Sequence, residues 1–154
     1  MSETVHATAV LAGALGLLIR GRPGSGKSAL ALQLIGRGAR LIADDRVHLS
    51  ARHGRLLASA PAAMAGRIEL RGRGILAMAY ERCAVIRLVV DCVADAELER
   101  MPEPHHLQAM ILGVVLPRQP VPNAGSQAAM LVEAALAAVS PQCNINLRSA
   151  RVWG

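Results

Sequence analysis

The stretch that decides the fold reads Gly21-Arg22-Pro23-Gly24-Ser25-Gly26-Lys27-Ser28. It fits the P-loop pattern, in which a glycine and four further residues are followed by Gly-Lys and a hydroxyl residue. The apolar residues 15–19 before it are typical of a buried strand, and residues 28–35 after it have helical spacing. The strand, loop and helix that surround a phosphate-binding loop are therefore all predicted.

All eight residues of this loop are predicted to hold nucleotide phosphates. Glycines let the backbone wrap around an anion with its N–H groups inward, and the helix N-terminus adds positive partial charge. Lys27, the only lysine of the chain, would reach the β- and γ-phosphates, and Ser28 would offer its hydroxyl to Mg²⁺. The alternative is a glycine-rich turn capped by Ser28 without a ligand. The four fixed positions of the pattern favour the phosphate loop.

Length and composition indicate one α/β domain over residues 1–154. A chain of this size buries a substantial core, and it has no room for two domains. Its hydrophobic content of 53% contains no Phe, so the core must be aliphatic. An aliphatic core suits a parallel sheet flanked by helices.

Charge and cysteine content bound the partners and the location. The formal net charge of +6 fits a nucleic-acid partner, but the arginines are scattered and only one Tyr and one Trp could stack on bases. Phosphate-rich ligands explain the charge equally well. Because the arginines are scattered and stacking aromatics are scarce, no nucleic-acid partner is expected. Cys83, Cys92 and Cys143 lack metal or redox spacing and are predicted to be reduced core thiols. Residues 8–19 are apolar but too short to span a bilayer, so we expect a cytoplasmic protein without a membrane partner.

The rest of the chain alternates predicted strands with polar loops. The predicted elements are a strand at 5–11, a helix ending at 36–38, a strand at 39–45, a hairpin of 47–50 with 55–59, a helical turn at 61–65, a strand at 84–93, a surface loop at 94–107, a strand at 110–116, a loop at 117–125, and a helix from the cap Ser126 to about Val139. The tail at 140–154 has only weak signals.

Two adjacent carboxylates, Asp44 and Asp45, end the predicted strand at 39–45. Ligands of open α/β sheets bind beyond the carboxyl ends of the strands, so this pair would lie beside the phosphate site if the two strands are neighbours. One Asp could hold Mg²⁺ or its water while the other accepts a proton from an attacking hydroxyl. The pattern alone is equally compatible with an Asp-Asp turn.

Two further polar residues have ordinary interpretations on pattern alone. His6 is the polar exception in a predicted strand, where a single histidine is more often solvent-facing than catalytic. Glu69 lies in a basic, glycine-rich segment, where charge alone favours an ion pair with Arg67 or Arg71.

Taken together, these blocks resemble the catalytic domain of HPr kinase/phosphorylase, the enzymes that phosphorylate a serine of HPr in the sugar phosphotransferase system. The likeness runs from His6 through the P-loop and residues 37–45 to residues 68–75, Ile-Glu-Leu-Arg-Gly-Arg-Gly-Ile, which resemble the family signature. The spacing of the four blocks fits without gaps. Most of residues 5–80 is covered.

The resemblance implies a P-loop kinase domain, a mixed sheet flanked by helices, that uses ATP and Mg²⁺. By position it implies that Asp45 accepts the proton, that Lys27 binds phosphate, that Ser28 and Glu69 hold Mg²⁺, and that His6 lies in the active site. Asp44 is left to orient a metal-bound water or to anchor its loop. It also matches Arg100 to an active-site arginine of the family and suggests a hexamer.

Two departures from the family pattern affect the predicted activity. The chain starts almost at His6, so it resembles a truncated form without the separate N-terminal domain of longer members. The family has an Arg- and Gly-rich loop tied to dephosphorylation where this chain has residues 117–122, in which Arg118 is the single charge. The sequence therefore does not favour the reverse, phosphate-driven reaction.

The sequence and the resemblance together favour a protein serine kinase that acts on HPr or a related phosphocarrier. One alternative is a P-loop kinase of a small metabolite, because a fold does not fix its substrate. Another is a nucleotide-sensing module that binds ATP without transferring phosphate. The Asp44-Asp45 pair argues against the sensor, which needs no base.

Overall fold

The computed structural model describes residues 1–123 and 127–139. Within them the strands are β1 (Ser2–Val5), β2 (Thr8–Ala12), β3 (Leu15–Arg20), β4 (Arg40–Ala43), β5 (Val47–Arg52), β6 (Arg55–Ser59), β7 (Arg67–Leu70), β8 (Gly74–Ala77), β9 (Ala84–Val93), β10 (Gln108–Ile111) and β11 (Val114–Pro122). The α-helices are α1 (Lys27–Gly36) and α2 (Gln127–Val139), and short 3₁₀ helices cover Ala62–Met64, Asp95–Glu97 and Pro104–Leu107.

The main sheet is mixed, and β9 is its centre. On one side β9 pairs in parallel with β3, which continues through antiparallel β2 to β4. On its other side β9 pairs first with β6, antiparallel, and then with β11, parallel. β5 and β1 extend the sheet beyond β6. Within the described residues only β3–β9 and β9–β11 are parallel pairs, so the purely parallel sheet suggested by composition is wrong and the mixed sheet is confirmed.

The two faces of this sheet are covered differently. Leu17 of β3 faces the helices and shares one buried cluster with Leu34 of α1 and Val132 of α2. Leu18, the next residue, faces the opposite side, where it shares a second cluster with Leu116 of the β10–β11 hairpin. Successive strand residues point to opposite faces, so a continuous aliphatic run fills both clusters. The helices therefore cover one face, and β-hairpins cover the other.

Three sequence predictions are wrong for identifiable reasons. Residues 5–11 are two strands, because the chain bends at His6 and sends β1 to β5 and β2 to β3. Residues 110–116 are not one strand but the turn of a hairpin, with Leu112 and Gly113 at φ +50° and +78°. Leucine is rare in such a turn, so its sequence gives no warning. Residues 117–122 belong to β11, although prolines usually argue against a strand.

The other predicted elements within the described residues are confirmed: α1 and its end at residues 36–38, the strand at β4, the β5–β6 hairpin, the turn at Ala62–Met64 and the long strand β9. The cap at Ser126 and the tail at 140–154 lie outside the described residues. Cys92 is buried as predicted, whereas Cys83 is exposed, and Cys143 lies outside the described residues. No helix in the described part of the chain is long and apolar enough to cross a membrane.

Candidate active site

The predicted phosphate loop runs from the end of β3 to the start of α1 and has left-handed backbone at two glycines. Gly24 has φ +76° and Gly26 has φ +90°, a conformation that costs other residues about 1–2 kcal/mol. A Cβ atom on Gly26 would lie 2.6 Å from the carbonyl oxygen of Asn123, and one on Gly21 would lie 2.3 Å from Ser25 Oγ. The glycine pattern is therefore required by this loop shape.

Lys27 folds back over the loop it terminates. Its Nζ donates hydrogen bonds to the carbonyl oxygens of Gly21 at 2.9 Å and Arg22 at 3.0 Å. An ammonium group has three donors, so one remains for a further acceptor. The positive charge is held at the mouth of the loop, where a phosphate oxygen would be bound.

Ser25 lies on the underside of the loop and faces the protein. Its hydroxyl is buried and has no hydrogen-bond partner of ordinary geometry among the described residues. The neighbouring Cys92 thiol is at most a weak partner for it. Burial raises the pKa of Cys92 to about 11, so the thiol stays protonated at neutral pH. Ser25 and Cys92 therefore form an uncharged support beneath the loop.

Asp44 is the centre of a buried hydrogen-bond network. Its Oδ1 accepts hydrogen bonds from Thr8 Oγ1 at 2.9 Å and from Ser28 Oγ at 2.8 Å. Its Oδ2 accepts the backbone N–H of Glu69 at 3.0 Å. Only 4% of Asp44 is exposed. This one carboxylate therefore joins β2, the first turn of α1 and β7.

Asp44 reaches the phosphate loop although its strand is not a neighbour of β3. β2 lies between β3 and β4 and is antiparallel to both. β3 and β4 are consequently parallel to each other, and their carboxyl ends meet at one edge of the sheet. Thr8, at the start of β2, lies at the same edge and was missed by sequence reasoning, because nothing local marks it as a partner of Asp44.

Asp45 has the opposite environment from Asp44. It adopts φ +67°, and the hydrogen bond from the Arg46 N–H to the Asp44 carbonyl closes a tight turn around it. Its Oδ1 lies 3.6 Å from His6 Nδ1, and the two side chains are 58% and 65% exposed. The turn thus directs one carboxylate into the protein and the other toward solvent beside His6.

Glu69 is brought to this site by its backbone, while its side chain is exposed. Among the described residues it forms no ion pair, so the predicted pairing with Arg67 or Arg71 is not found. Its strand β7 pairs with β8 in a separate two-stranded hairpin, which buries Ile68 in the helix-side cluster. Glu69 therefore lies near the turn of a hairpin that its own backbone N–H fixes to Asp44.

The oxygen groups present fit a magnesium ion. Mg²⁺ prefers oxygen ligands and usually binds through one or two carboxylates together with substrate phosphates and water. The Ser28 hydroxyl and the Asp44 carboxylate are adjacent at the first turn of α1. The described residues contain no group of three or more His, Cys, Asp or Glu side chains that could cage a metal alone. Such a site would depend on the phosphates of a bound nucleotide.

Arg100 is not brought to the other predicted residues by any hydrogen bond or ion pair in the described chain. It is exposed and lines a shallow cleft between Pro120 of β11 and Met130 of α2. Its assignment to the active site remains a prediction.

A charged cluster that sequence reasoning missed lies directly before the loop. Asp91 accepts two hydrogen bonds from Arg20, at 2.8 and 2.9 Å, and one from Arg118 Nε. Burial raises the pKa of Asp91, but the hydrogen bonds and charges of the two guanidinium groups outweigh it and hold that pKa below its ordinary value. The hydrogen bonding of Arg20 to Asp91 in turn raises the pKa of Arg20, against the opposing effect of burial. A sequence signal that could have revealed this cluster is that Arg20 and Asp91 both lie near the carboxyl ends of strands.

The chain is similar to known proteins over most of its length. The HPr kinase/phosphorylase of Limosilactobacillus reuteri (strain DSM 20016) is 33% identical over 145 residues, which cover 86% of this chain and 45% of the relative. The HPr kinase/phosphorylase of Azoarcus sp. (strain BH72) is 38% identical over 143 residues, 79% of this chain and 43% of the relative. The chain thus spans less than half the length of these curated relatives.

A solved structure extends the likeness to the fold. The HPr(Ser) kinase/phosphatase from Coxiella burnetii superposes with a TM-score of 0.75 at 28% identity, covering 87% of this chain and 88% of that chain. The family described as "HPr Serine kinase C-terminal domain" matches residues 1–150. The chain belongs to the HPr serine kinase C-terminal domain family.

Proposed function

We propose that this chain is an ATP- and Mg²⁺-dependent protein serine kinase whose acceptor is HPr or a related phosphocarrier. The observation that carries the proposal is the difference in burial and contacts between Asp44 and Asp45. Asp44 is buried and bonded to Ser28, whereas Asp45 is exposed beside His6. One carboxylate faces the phosphate loop, and the other faces the direction from which a large acceptor would approach.

In this proposal the loop residues bind the phosphates of ATP, with Lys27 as the point charge on the β- and γ-phosphates. Ser28 and Glu69 would hold Mg²⁺, which would neutralise charge on the phosphates, and Asp44 would fix the Ser28 hydroxyl. Asp45 would orient the acceptor hydroxyl and take its proton, with His6 beside it. Arg100 is proposed as a further active-site residue by resemblance alone.

The exposure of Asp45 favours a protein acceptor over a small metabolite. A kinase of small molecules usually encloses its acceptor in order to exclude water, but Asp45 and His6 are each more than half exposed. A sensor that only binds ATP needs no such carboxylate. A phosphocarrier substrate would place the protein in the cytoplasm, and by resemblance it would work as a homo-oligomer.

The reverse reaction, in which phosphoserine is attacked by inorganic phosphate, is not favoured by the position of Arg118. This residue lies on β11 and donates to Asp91 and to the backbone carbonyl of His106. Its charge is therefore already paired with a carboxylate, which makes it a weaker site for a free phosphate than an unpaired arginine would be. We therefore propose the forward kinase reaction as the main activity.

The decisive experiment incubates the 154-residue protein with labelled ATP, Mg²⁺ and purified HPr. Label on a serine of HPr, located by mass spectrometry, supports the proposal. Label on a small molecule from a metabolite mixture supports the alternative kinase. ATP binding without any transfer supports a sensor. Incubation of phosphoserine HPr with inorganic phosphate then tests the reverse reaction separately.

A further inference from the structure

A cleft opens in the sheet where β6 and β11 diverge along the same flank of β9, and it is called the fork cleft below. β6 pairs with β9 as far as Ile86, and β11 pairs with β9 from Val89 onward. Between them, Arg87 and Leu88 have no partner on that flank among the described strands. The cleft has a volume of about 540 Å³, which is within the usual range of small-molecule sites, roughly 300–1,000 Å³.

Arg87 is an extra residue in the central strand of the sheet. On the other flank of β9, Gly16 pairs with Ile86, and Leu17 pairs with Leu88. The residue between them, Arg87, is skipped by this register. Such a β-bulge interrupts the regular alternation of the strand and redirects a side chain. Ile86 and Leu88 accordingly lie in clusters on opposite faces of the sheet, and Arg87 is exposed at the fork cleft although it belongs to the middle strand.

Arg55 of β6 brings a second positive charge to the fork cleft. The ladder of β6 and β9 ends at Leu56 and Ile86, so Arg55 and Arg87 are the next residues on the two strands. Arg52 of β5 lies opposite Arg55. All three arginines are exposed, and none has a carboxylate partner among the described residues. Like charges at neighbouring cross-strand positions destabilise a sheet, so this row of arginines carries an uncompensated positive charge.

The rest of the lining of the fork cleft is apolar. Nine of its twelve lining residues have apolar side chains, and none of the twelve is acidic. They include Val115 and Leu116 of β11 and Val139 in the last described turn of α2. Val115 is 61% exposed, so part of this apolar wall faces the open cleft. Ligand sites are commonly built in this way, from an apolar wall and a few polar groups that fix orientation.

The fork cleft is separate from the candidate active site. The phosphate loop and the acidic pair lie at the carboxyl ends of β3 and β4, and none of their residues lines the cleft. On β9, Arg87 precedes Asp91 of the charged cluster by four residues, which is about 13 Å along a strand. A ligand in the fork cleft is therefore distinct from the substrates of the proposed kinase.

We propose that the fork cleft binds an organic anion that has a carboxylate head and an apolar body of the size of a medium-chain acid. The guanidinium groups of Arg55 and Arg87 hold the head, because arginine binds carboxylates through charge-assisted and often paired hydrogen bonds. The apolar wall around Val115 and Val139 covers the chain, and its removal from water adds to the affinity. The bound anion also supplies the negative charge that the described lining lacks.

Isothermal titration of the full 154-residue chain with octanoate tests the site. Two partial probes accompany it: 1-octanol has the apolar chain without the charge, and inorganic phosphate has the charge without the chain. Octanoate is expected to bind at a single site per chain, about tenfold or more tighter than either partial probe. Because it binds the folded state, it is also expected to raise Tm.

Three variants locate the binding in the fork cleft. Arg55→Gln and Arg87→Gln each remove one positive charge, and Val115→Asp places a carboxylate at the wall of the cleft. Each is expected to weaken octanoate binding by about tenfold or more. The matched control is Arg82→Gln, which removes the same charge from an exposed arginine outside the cleft and should keep the wild-type affinity. The Tm of each variant without ligand checks that it is folded.

Absence of octanoate binding in the wild type overturns the proposal, as does equal affinity for octanol or for phosphate. An equal loss of affinity in Arg82→Gln would show a response to net charge alone and would reject the site. Full affinity in both Arg55→Gln and Arg87→Gln rejects the role of the two arginines. A lower mass of these two variants in sedimentation velocity, with unchanged octanoate binding, would assign the cleft to a contact between copies of the chain instead. The titration uses neither ATP nor HPr, so failure of the kinase assay leaves it unaffected.

Discussion

The substitution Asp45→Asn removes the exposed carboxylate of the acidic pair and keeps the shape of the side chain. Among the described residues, the side chain of Asp45 makes one polar contact, at 3.6 Å to His6, so Asp45→Asn should change the free energy of unfolding by no more than about 0.5 kcal/mol. A positioned general base contributes about 10²–10⁴-fold to a rate. The variant should therefore lose that factor in kcat for HPr phosphorylation, while its Kd for ATP stays at the wild-type value.

The neighbouring substitution, Asp44→Asn, should mainly lower the stability of the fold and change the Mg²⁺ dependence. The Asp44 carboxylate accepts three hydrogen bonds in a buried place, whereas an Asn side chain offers a single oxygen and turns an N–H₂ group toward the remaining donors. An unsatisfied buried group costs about 1–3 kcal/mol. For a domain of this size that lowers Tm by about 2–12 °C. Asp44→Asn should reduce the rate less than Asp45→Asn and shift the Mg²⁺ dependence more.

The two variants are compared by rapid-quench phosphorylation of HPr, by titration with ATP and by thermal unfolding. Each is the control for the other, since both remove one charge from adjacent positions. The role assigned to Asp45 is refuted if Asp45→Asn phosphorylates HPr at a rate near that of the wild type, or if its only defect is loss of nucleotide binding. A Tm loss at Asp45 equal to that at Asp44 would contradict the described turn.

Three further predictions concern the loop, the metal and the charged cluster. Lys27→Ala should abolish phosphate transfer because the phosphates lose their point charge. Lys27→Arg should also fail because a guanidinium is wider than an ammonium group. Unchanged turnover of either variant with Mg-ATP would contradict this role of Lys27. Glu69→Gln should raise the Mg²⁺ concentration that gives a half-maximal phosphorylation rate, since it deletes a ligand charge. If the dependence of the rate on Mg²⁺ concentration does not change, Glu69 has no role in metal binding. The pKa of Asp91 is lowered from 3.8, so its ion pairs stabilise the fold fully above about pH 4 and are lost as pH falls through the lowered pKa. The stability gap between wild type and Asp91→Asn, from urea unfolding, should be constant at neutral pH and close in acid; a gap independent of pH would reject the ion pairs.

Local sequence predicted the phosphate loop and its two flanking elements. The left-handed backbone at Gly24 and Gly26 is set within the loop itself, and Lys27 closes onto carbonyls five and six positions away. The acidic pair at the end of β4 was predicted in the same way. Within the loop, the partners lie close enough in the chain for a fixed spacing to describe them.

Only the tertiary structure decided what surrounds these residues. Asp44 meets Thr8 from 36 positions away and Glu69 from 25 positions away, and Asp91 meets Arg20 from 71 positions away. These contacts depend on which strands are neighbours, and hydrophobic periodicity marks a strand without naming its partner. The hairpin at Leu112 and the proline-containing strand β11 follow the same rule, because pairing with β9 and β10 overrides the local preference of the sequence.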